Sequence, residues 1–311
     1  MEQTQDETKQ PPRQPPPSPS NMYLSTHLIV PYFITPNGTI KRPEHLIAWW
    51  SRIFSFYVPD DKDRIELRFL CRLYRDSLKP PPLYTIFPTP RYPMLNGLME
   101  KLNSVFEKDP KKAPKIVFIM KGTFQAKANA AGNHSAQVII QYPMKMIGAG
   151  QTETFLSGYG FEIKGKRAGE HVELKEMTTS RAYGNGLYDN NGLSFLCDRI
   201  TFTKCGGIGV SLCDTRGRLI NCLITQCEMS GIFCGRNALI ELEGSQTKVD
   251  KNVKVINDGD EYYYMGLHTC DISSSVRFLS PLTKESVVTN TCNGIDYSCT
   301  GSGTIETVDS F

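Results

Sequence analysis

Short apolar runs of four to six residues, broken by Gly, Asn, Asp and Cys, fill residues 200–242, ITFTKCGGIGVSLCDTRGRLINCLITQCEMSGIFCGRNALIEL. Thr203-Lys204-Cys205 returns 22 residues later as Thr225-Gln226-Cys227. Gly209-Val210 returns at the same offset as Gly231-Ile232, and Cys213 returns as Cys234 at 21. Strand formers and turn formers at fixed places in such a period predict stacked rungs of a parallel β-helix. One rung alone cannot bury its apolar face. Its neighbour buries it, and like side chains then stand in columns.

Further rungs are predicted upstream at Val138-Ile139-Ile140, Met144-Lys145-Met146-Ile147-Gly148, Phe161-Glu162-Ile163-Lys164 and Val172-Glu173-Leu174. Gly-, Asn- and Ser-rich turn chemistry separates them. After Gly244 the pattern weakens, and DKNVKVINDGDEYYYM reads as a protruding or edge segment. Short strands resume at Val276-Arg277-Phe278-Leu279, Ser286-Val287-Val288 and Thr304-Ile305-Glu306. No C-terminal cap is legible.

The N-terminal third has other periods. Residues 1–22 are polar and proline-rich, a composition that favours a disordered tail. Asn37-Gly38 between apolar runs predicts a hairpin over residues 28–40. Leu46, Trp50, Ile53, Phe54 and Tyr57 recur at helical spacing until Pro59. A second helix starts at Asp60 or Asp61, carries the stripe Ile65, Phe69, Leu73 and stops at Pro80. Arg64, Arg68, Arg72 and Arg75 line its other side, which is either a solvated face or a face for an acidic partner. PPPLYTIFPTPRYP, over residues 80–93, reads as a linker. Leu95, Leu98, Met99, Leu102, Val105 and Phe106 then predict a helix over about residues 94–108.

The order of an apolar helix, IFSFYVPDDKD and a helix carrying LRFLCRLYRDSL resembles the F-box. Ile53, Phe54, Phe56, Asp60, Leu67, Leu70, Cys71, Arg72, Tyr74, Arg75 and Leu78 occupy the corresponding places, with Tyr74 where that pattern has Trp. The resemblance implies docking onto the small adaptor subunit of a cullin–RING ubiquitin ligase through Leu46, Trp50, Ile53, Phe54, Leu67, Leu70 and Arg72. Independently of it, the same hairpin reads as a structural cap on the coil. The helix at 94–108, followed by KIVFIMKGTF, resembles the entry to a pectin-lyase-like right-handed β-helix, where the helix plugs the open first rung. The expected architecture is therefore mainly β. A Pro-rich tail (1–22) and an F-box-like helical segment (23–83) precede a right-handed parallel β-helix with its cap helix (84–311).

Composition narrows the function. Of the 311 residues 22% are charged, the net charge is +3 and the pI is about 8.2, too mild a balance to predict a nucleic-acid surface. No apolar run approaches the roughly 18–20 residues that span a bilayer. MEQTQDETKQ has no apolar core of a signal peptide, so a cytoplasmic or nuclear location is expected. Six of the ten cysteines fall between Cys197 and Cys234 with no C-x-x-C, which predicts buried thiols rather than a metal or disulfide cluster. Asp198, Asp214, Arg216 and Arg218 are the best local acid–base constellation, but they stand outside the motifs of β-helix lyases and hydrolases. Gly207-Ile208-Gly209 lacks a third glycine and a following helix, and predicts a rung corner.

The expectation is a non-enzymatic ligase adaptor whose helices dock the adaptor subunit and whose coil face holds an unknown protein substrate. No catalytic residue, metal or cofactor is expected, nor a nucleic-acid or membrane partner. The alternatives are a pectin-lyase-like carbohydrate-active enzyme and a purely structural or binding scaffold.

Overall fold

The computed structural model describes residues 83–127, 136–165, 170–253, 265–271, 273–289 and 296–309, with the backbone of two short strands nearer the N-terminus. Those strands, β1 (Phe33–Ile34) and β2 (Ile40–Lys41), pair antiparallel with Phe33 opposite Lys41, giving the hairpin expected around Asn37-Gly38. The chain divides into two compact units, and every described residue from 83 onward lies in the larger one. Leu46, Trp50, Ile53, Phe54, Leu67, Leu70 and Arg72 lie outside the described residues.

The larger unit is a parallel β-helix with three faces. After β3 (Tyr84–Phe87) and α1 (Leu95–Lys108), the first turn comprises β4 (Ile116–Ile119), β5 (Gly122–Gln125) and β6 (Ala136–Ile140). The second comprises β7 (Lys145–Gly148), β8 (Thr154–Ser157) and β9 (Tyr159–Ile163). In the third and fourth turns two faces merge into one long strand. These are β10 (His171–Ser180) with β11 (Leu187–Asn190), then β12 (Ser194–Thr203) with β13 (Val210–Cys213). The fifth turn is β14 (Arg216–Ile220), β15 (Leu223–Thr225) and β16 (Ile232–Gly235), and the sixth is β17 (Leu239–Glu243), β18 (Lys248–Asp250) and β19 (Leu267–Thr269). The seventh is β20 (Ser275–Leu279), β21 (Val288–Thr289) and β22 (Tyr297–Cys299), with β23 (Thr304–Val308) beginning another.

Every strand from β3 on pairs in parallel with the strand one turn away. The first face runs from β3 through β4, β7, β10, β12, β14, β17 and β20 to β23. The third face is a 7-stranded sheet from β6 to β22. This is the parallel β-helix expected from the repeat, and the fold class expected for the chain, a right-handed β-helix. Thr203 pairs with Thr225 and Val210 with Ile232, the partners that the sequence repeat predicts.

The core is a set of columns. On the first face Val117, Met146, Leu174, Cys197, Leu219, Leu242 and Phe278 stand in register, all fully buried. On the third face Val138, Phe161, Leu187, Val210, Ile232 and Leu267 do the same. Stacking rungs about 4.8 Å apart brings each side chain onto the one below, so burial is gained only between turns.

The corners are columns too, of residues in the left-handed region. Glu176, Arg199, Asn221 and Gly244 turn the first face into the second. Gly158, Arg181, Lys204, Gln226 and Lys251 turn the second into the third, and Asn191, Asp214, Arg236, Asp271 and Gly301 close the turn. A single left-handed residue bends the strand sharply enough to start the next face.

At the N-terminal end α1 buries Leu95, Leu98, Met99 and Leu102 against the first turn. Asn103 donates its amide to the Ile139 carbonyl at 2.9 Å and accepts from the Gln141 N–H at 3.4 Å, satisfying backbone groups at the open edge of β6. The cap is the one expected from the helical period.

Two expectations are corrected. Residues 84–87 are no linker but β3, the outermost described strand of the first face, which tolerates flanking prolines because it pairs with β4 alone among the described residues. Lys248–Asp250 is strand β18 of the second face; of the segment expected to protrude, residues 254–264 lie outside the described residues. Ser286 and Val287 belong to α2 (Lys284–Val287), where a capping box between Thr283 and Ser286 closes one helical turn ahead of β21.

Candidate functional site

The outer side of the first face carries the candidate chemistry. Its outward row reads Lys145, Glu173, Leu196, Arg218, Glu241, Arg277 and Glu306 in register, charges of alternating sign along the coil axis. Lys145 meets Glu173 at 3.2 Å and Arg277 meets Glu306 at 2.9 Å. Arg218 reaches Glu243 at 2.8 Å in the neighbouring row. The ladder thus pairs internally, as opposite charges across parallel strands do.

The four acid–base candidates do not converge. Asp198 stands at the end of β12's first half, where Arg199 pairs with it at 3.1 Å and with Glu176 at 2.6 Å. Burial lifts the Asp198 carboxyl above its ordinary value, and the Arg199 charge opposes this. Asp214 occupies the opposite corner, before β14, in the left-handed conformation, with Asn237 at 3.2 Å and Arg236 at 3.5 Å. Arg216 and Arg218 point outward from β14, and Arg218 is held by Glu243. Each of these groups therefore has a corner or a ladder to explain it. Gly207-Ile208-Gly209 is the rung corner expected, with the Ile208 N–H donating to Asn185 at 2.9 Å.

Of the clustered cysteines, Cys197, Cys205, Cys222, Cys227 and Cys234 are buried in the coil. Burial raises the thiols of Cys197 and Cys234 and pushes Cys222 up to about 12, far from the thiolate that nucleophilic or metal chemistry needs. Among the described residues no group of His, Cys, Asp and Glu is placed to hold a metal ion. No described helix is long and apolar enough to cross a membrane.

Sequence reasoning missed a cleft of 560 Å³ where α1 ends and the first face begins. Its floor is apolar: Ala113, Pro143, Met144 and the ring of Tyr142. Tyr142 is fixed by stacking on Phe106, centroids 4.5 Å apart, and by donating its hydroxyl to the Pro114 carbonyl at 2.9 Å. Burial raises the Tyr142 phenol above its ordinary value, so it stays a neutral donor.

One lip carries Lys111 and Lys115 from the loop after α1, both exposed. The other carries Lys145, Glu170, His171 and Glu173. Glu173 is ringed by Lys175 at 3.0 Å, Lys145 at 3.2 Å and His171 at 3.3 Å. Burial alone would raise its carboxyl, but hydrogen bonds and charges from Lys175 and Lys145 hold it below the ordinary value. The signal for this site was present in two places, the basic run Lys111-Lys112 with Lys115 and the alternating His171 and Glu173. Only the register of β7 against β10 joins them.

No protein-family model matches this chain, and neither a curated protein nor a solved structure does.

Proposed function

We propose that this chain is a non-enzymatic substrate adaptor of a cullin–RING ubiquitin ligase. Its F-box-like segment docks the small adaptor subunit, and a face of the β-helix holds a protein substrate. The cleft carries the binding half of this reading. It is preformed, apolar at its floor and polar at its lips, and it sits beside a face whose own charges are already paired. The pairing and separation of Asp198, Asp214, Arg216 and Arg218 supports binding over catalysis. The docking half rests on Leu46, Trp50, Ile53, Phe54, Leu67, Leu70 and Arg72, in the order and spacing of an F-box. Affinity purification of the tagged full chain tests it, with the adaptor subunit and a cullin expected among the co-eluting proteins. Their absence, together with cleavage of an acidic polysaccharide by the purified chain, would replace this reading with the pectin-lyase-like one.

A further inference from the structure

The lips of the cleft carry Lys111, Lys115 and Lys145 against Glu170 and Glu173, one positive charge in excess. Glu173 is satisfied by Lys145, Lys175 and His171, so its charge is spent locally. Lys111 and Lys115 have no acidic partner among the described residues, and both stand over the apolar floor. A neutral or cationic ligand would leave these two ammonium groups unanswered. A small inorganic anion would answer them but leave Pro143, Met144 and Ala113 uncovered.

The ligand that satisfies both parts has an apolar body and an anionic group. A long polyanion following the coil is disfavoured, because beyond the cleft Arg218 and Arg277 are already paired with Glu243 and Glu306, and Glu241 stands between the two arginines in the outward row. The volume, 560 Å³, suits a short segment.

We infer that this cleft is the substrate-recognition site and that it takes an acidic peptide segment of the substrate. An apolar side chain lies on the floor, and a carboxylate or phosphate meets Lys111 and Lys115. That the ligand belongs to a protein rests on the adaptor reading above; that it is anionic with an apolar anchor rests on the cleft alone.

Fluorescence anisotropy with the full chain tests this. The probes are a short labelled peptide with central Leu-Phe flanked by Glu, the same peptide with Gln for every Glu, and one with phosphoserine replacing a central Glu. The Glu peptide should bind and weaken as salt rises, while the Gln peptide should bind about tenfold more weakly or worse. The double variant Lys111→Ala with Lys115→Ala should lose about tenfold in affinity for the Glu peptide at an unchanged melting temperature, since both side chains are exposed. Tighter binding of the phosphopeptide identifies phosphate as the natural anion; equal or weaker binding identifies a carboxylate. Equal binding of the Gln peptide, an unaffected double variant, no binding by any peptide, or equal displacement by inorganic phosphate would each overturn the inference. The same variant should still capture the adaptor subunit. A wild-type chain that binds the peptide but captures no adaptor sinks the ligase reading and leaves the cleft standing; capture without peptide binding does the reverse.

Discussion

At the scale of single residues, one tight constraint is a column of glycines entering the third face. A Cβ on Gly186 would lie 2.7 Å from the Gly209 carbonyl, one on Gly209 would lie 2.6 Å from the Gly231 carbonyl, and one on Gly231 would lie 2.8 Å from that of Gly266. Successive backbones touch here, which is why Gly209-Val210 and Gly231-Ile232 repeat in the sequence. Gly209→Ala also drives its methyl to 2.3 Å from Ile224. It should cost about 1–3 kcal/mol and lower the melting temperature by several degrees. An unchanged thermal melt would show that the rungs have room to part.

Asp189 is a fully buried carboxylate in a second interior column of the third face, between Ile163 and Leu212. Burial raises its carboxyl to about 7, with the Gly192 N–H and the Thr215 hydroxyl only partly opposing this. The unfolded chain releases the same proton near pH 4. Between those values the folded state therefore holds more protons than the unfolded one, and stability falls as pH rises from about 4 to about 7. The loss is of the order of 4 kcal/mol at most. Denaturation at pH 5 and pH 8 should show this decline in the wild type and a smaller one in Asp189→Asn. Equal declines would show that Asp189 does not titrate in this range.

Residue identity also misled in one place. Cys213 and Cys234 match at an offset of 21, but the register pairs Leu212 with Cys234 and Cys213 with Gly235. A slip of one residue reverses the face, so Cys234 is interior and Cys213 looks outward.

At the scale of elements, the strands that repeat were legible and the ones that break the repeat were not. Apolar runs bounded by turn residues located β6, β7, β9, β10 and β20, because burial on stacking demands them. β3 was hidden by its flanking prolines, and β18 by the polar residues around it. The cleft was hidden for a different reason: its lips come from residues 111–115, 145 and 170–173, and only the coil's register makes them neighbours. The cap helix was legible by its period, although the role of Asn103 was not. Asn103→Ala would strip the partners from the Ile139 carbonyl and the Gln141 N–H at the sheet's edge. About 1–3 kcal/mol of stability should be lost in urea denaturation. Loss below the experimental error would mean that water replaces the amide there.

At the scale of the whole molecule, the coil stacks its turns in parallel, with ion pairs along its first face and a cleft beside α1. On the proposed function, the coil would hold a substrate and the F-box-like segment would engage the ligase. The docking claim is concentrated in a few apolar anchors, Ile53, Phe54, Leu67 and Leu70, more than one small hairpin buries by itself. Truncating one central anchor of an interface typically costs about 2 kcal/mol or more. The most direct measurement is therefore the affinity of the purified full chain for the purified adaptor subunit, compared with that of the double variant Phe54→Ala with Leu70→Ala. The account predicts saturable binding by the wild type, and a loss of roughly thirtyfold or more in a variant whose coil keeps its β-type circular dichroism and its melting temperature. No binding by the wild type, or a variant in which the coil itself unfolds, would contradict it and make the segment a structural cap.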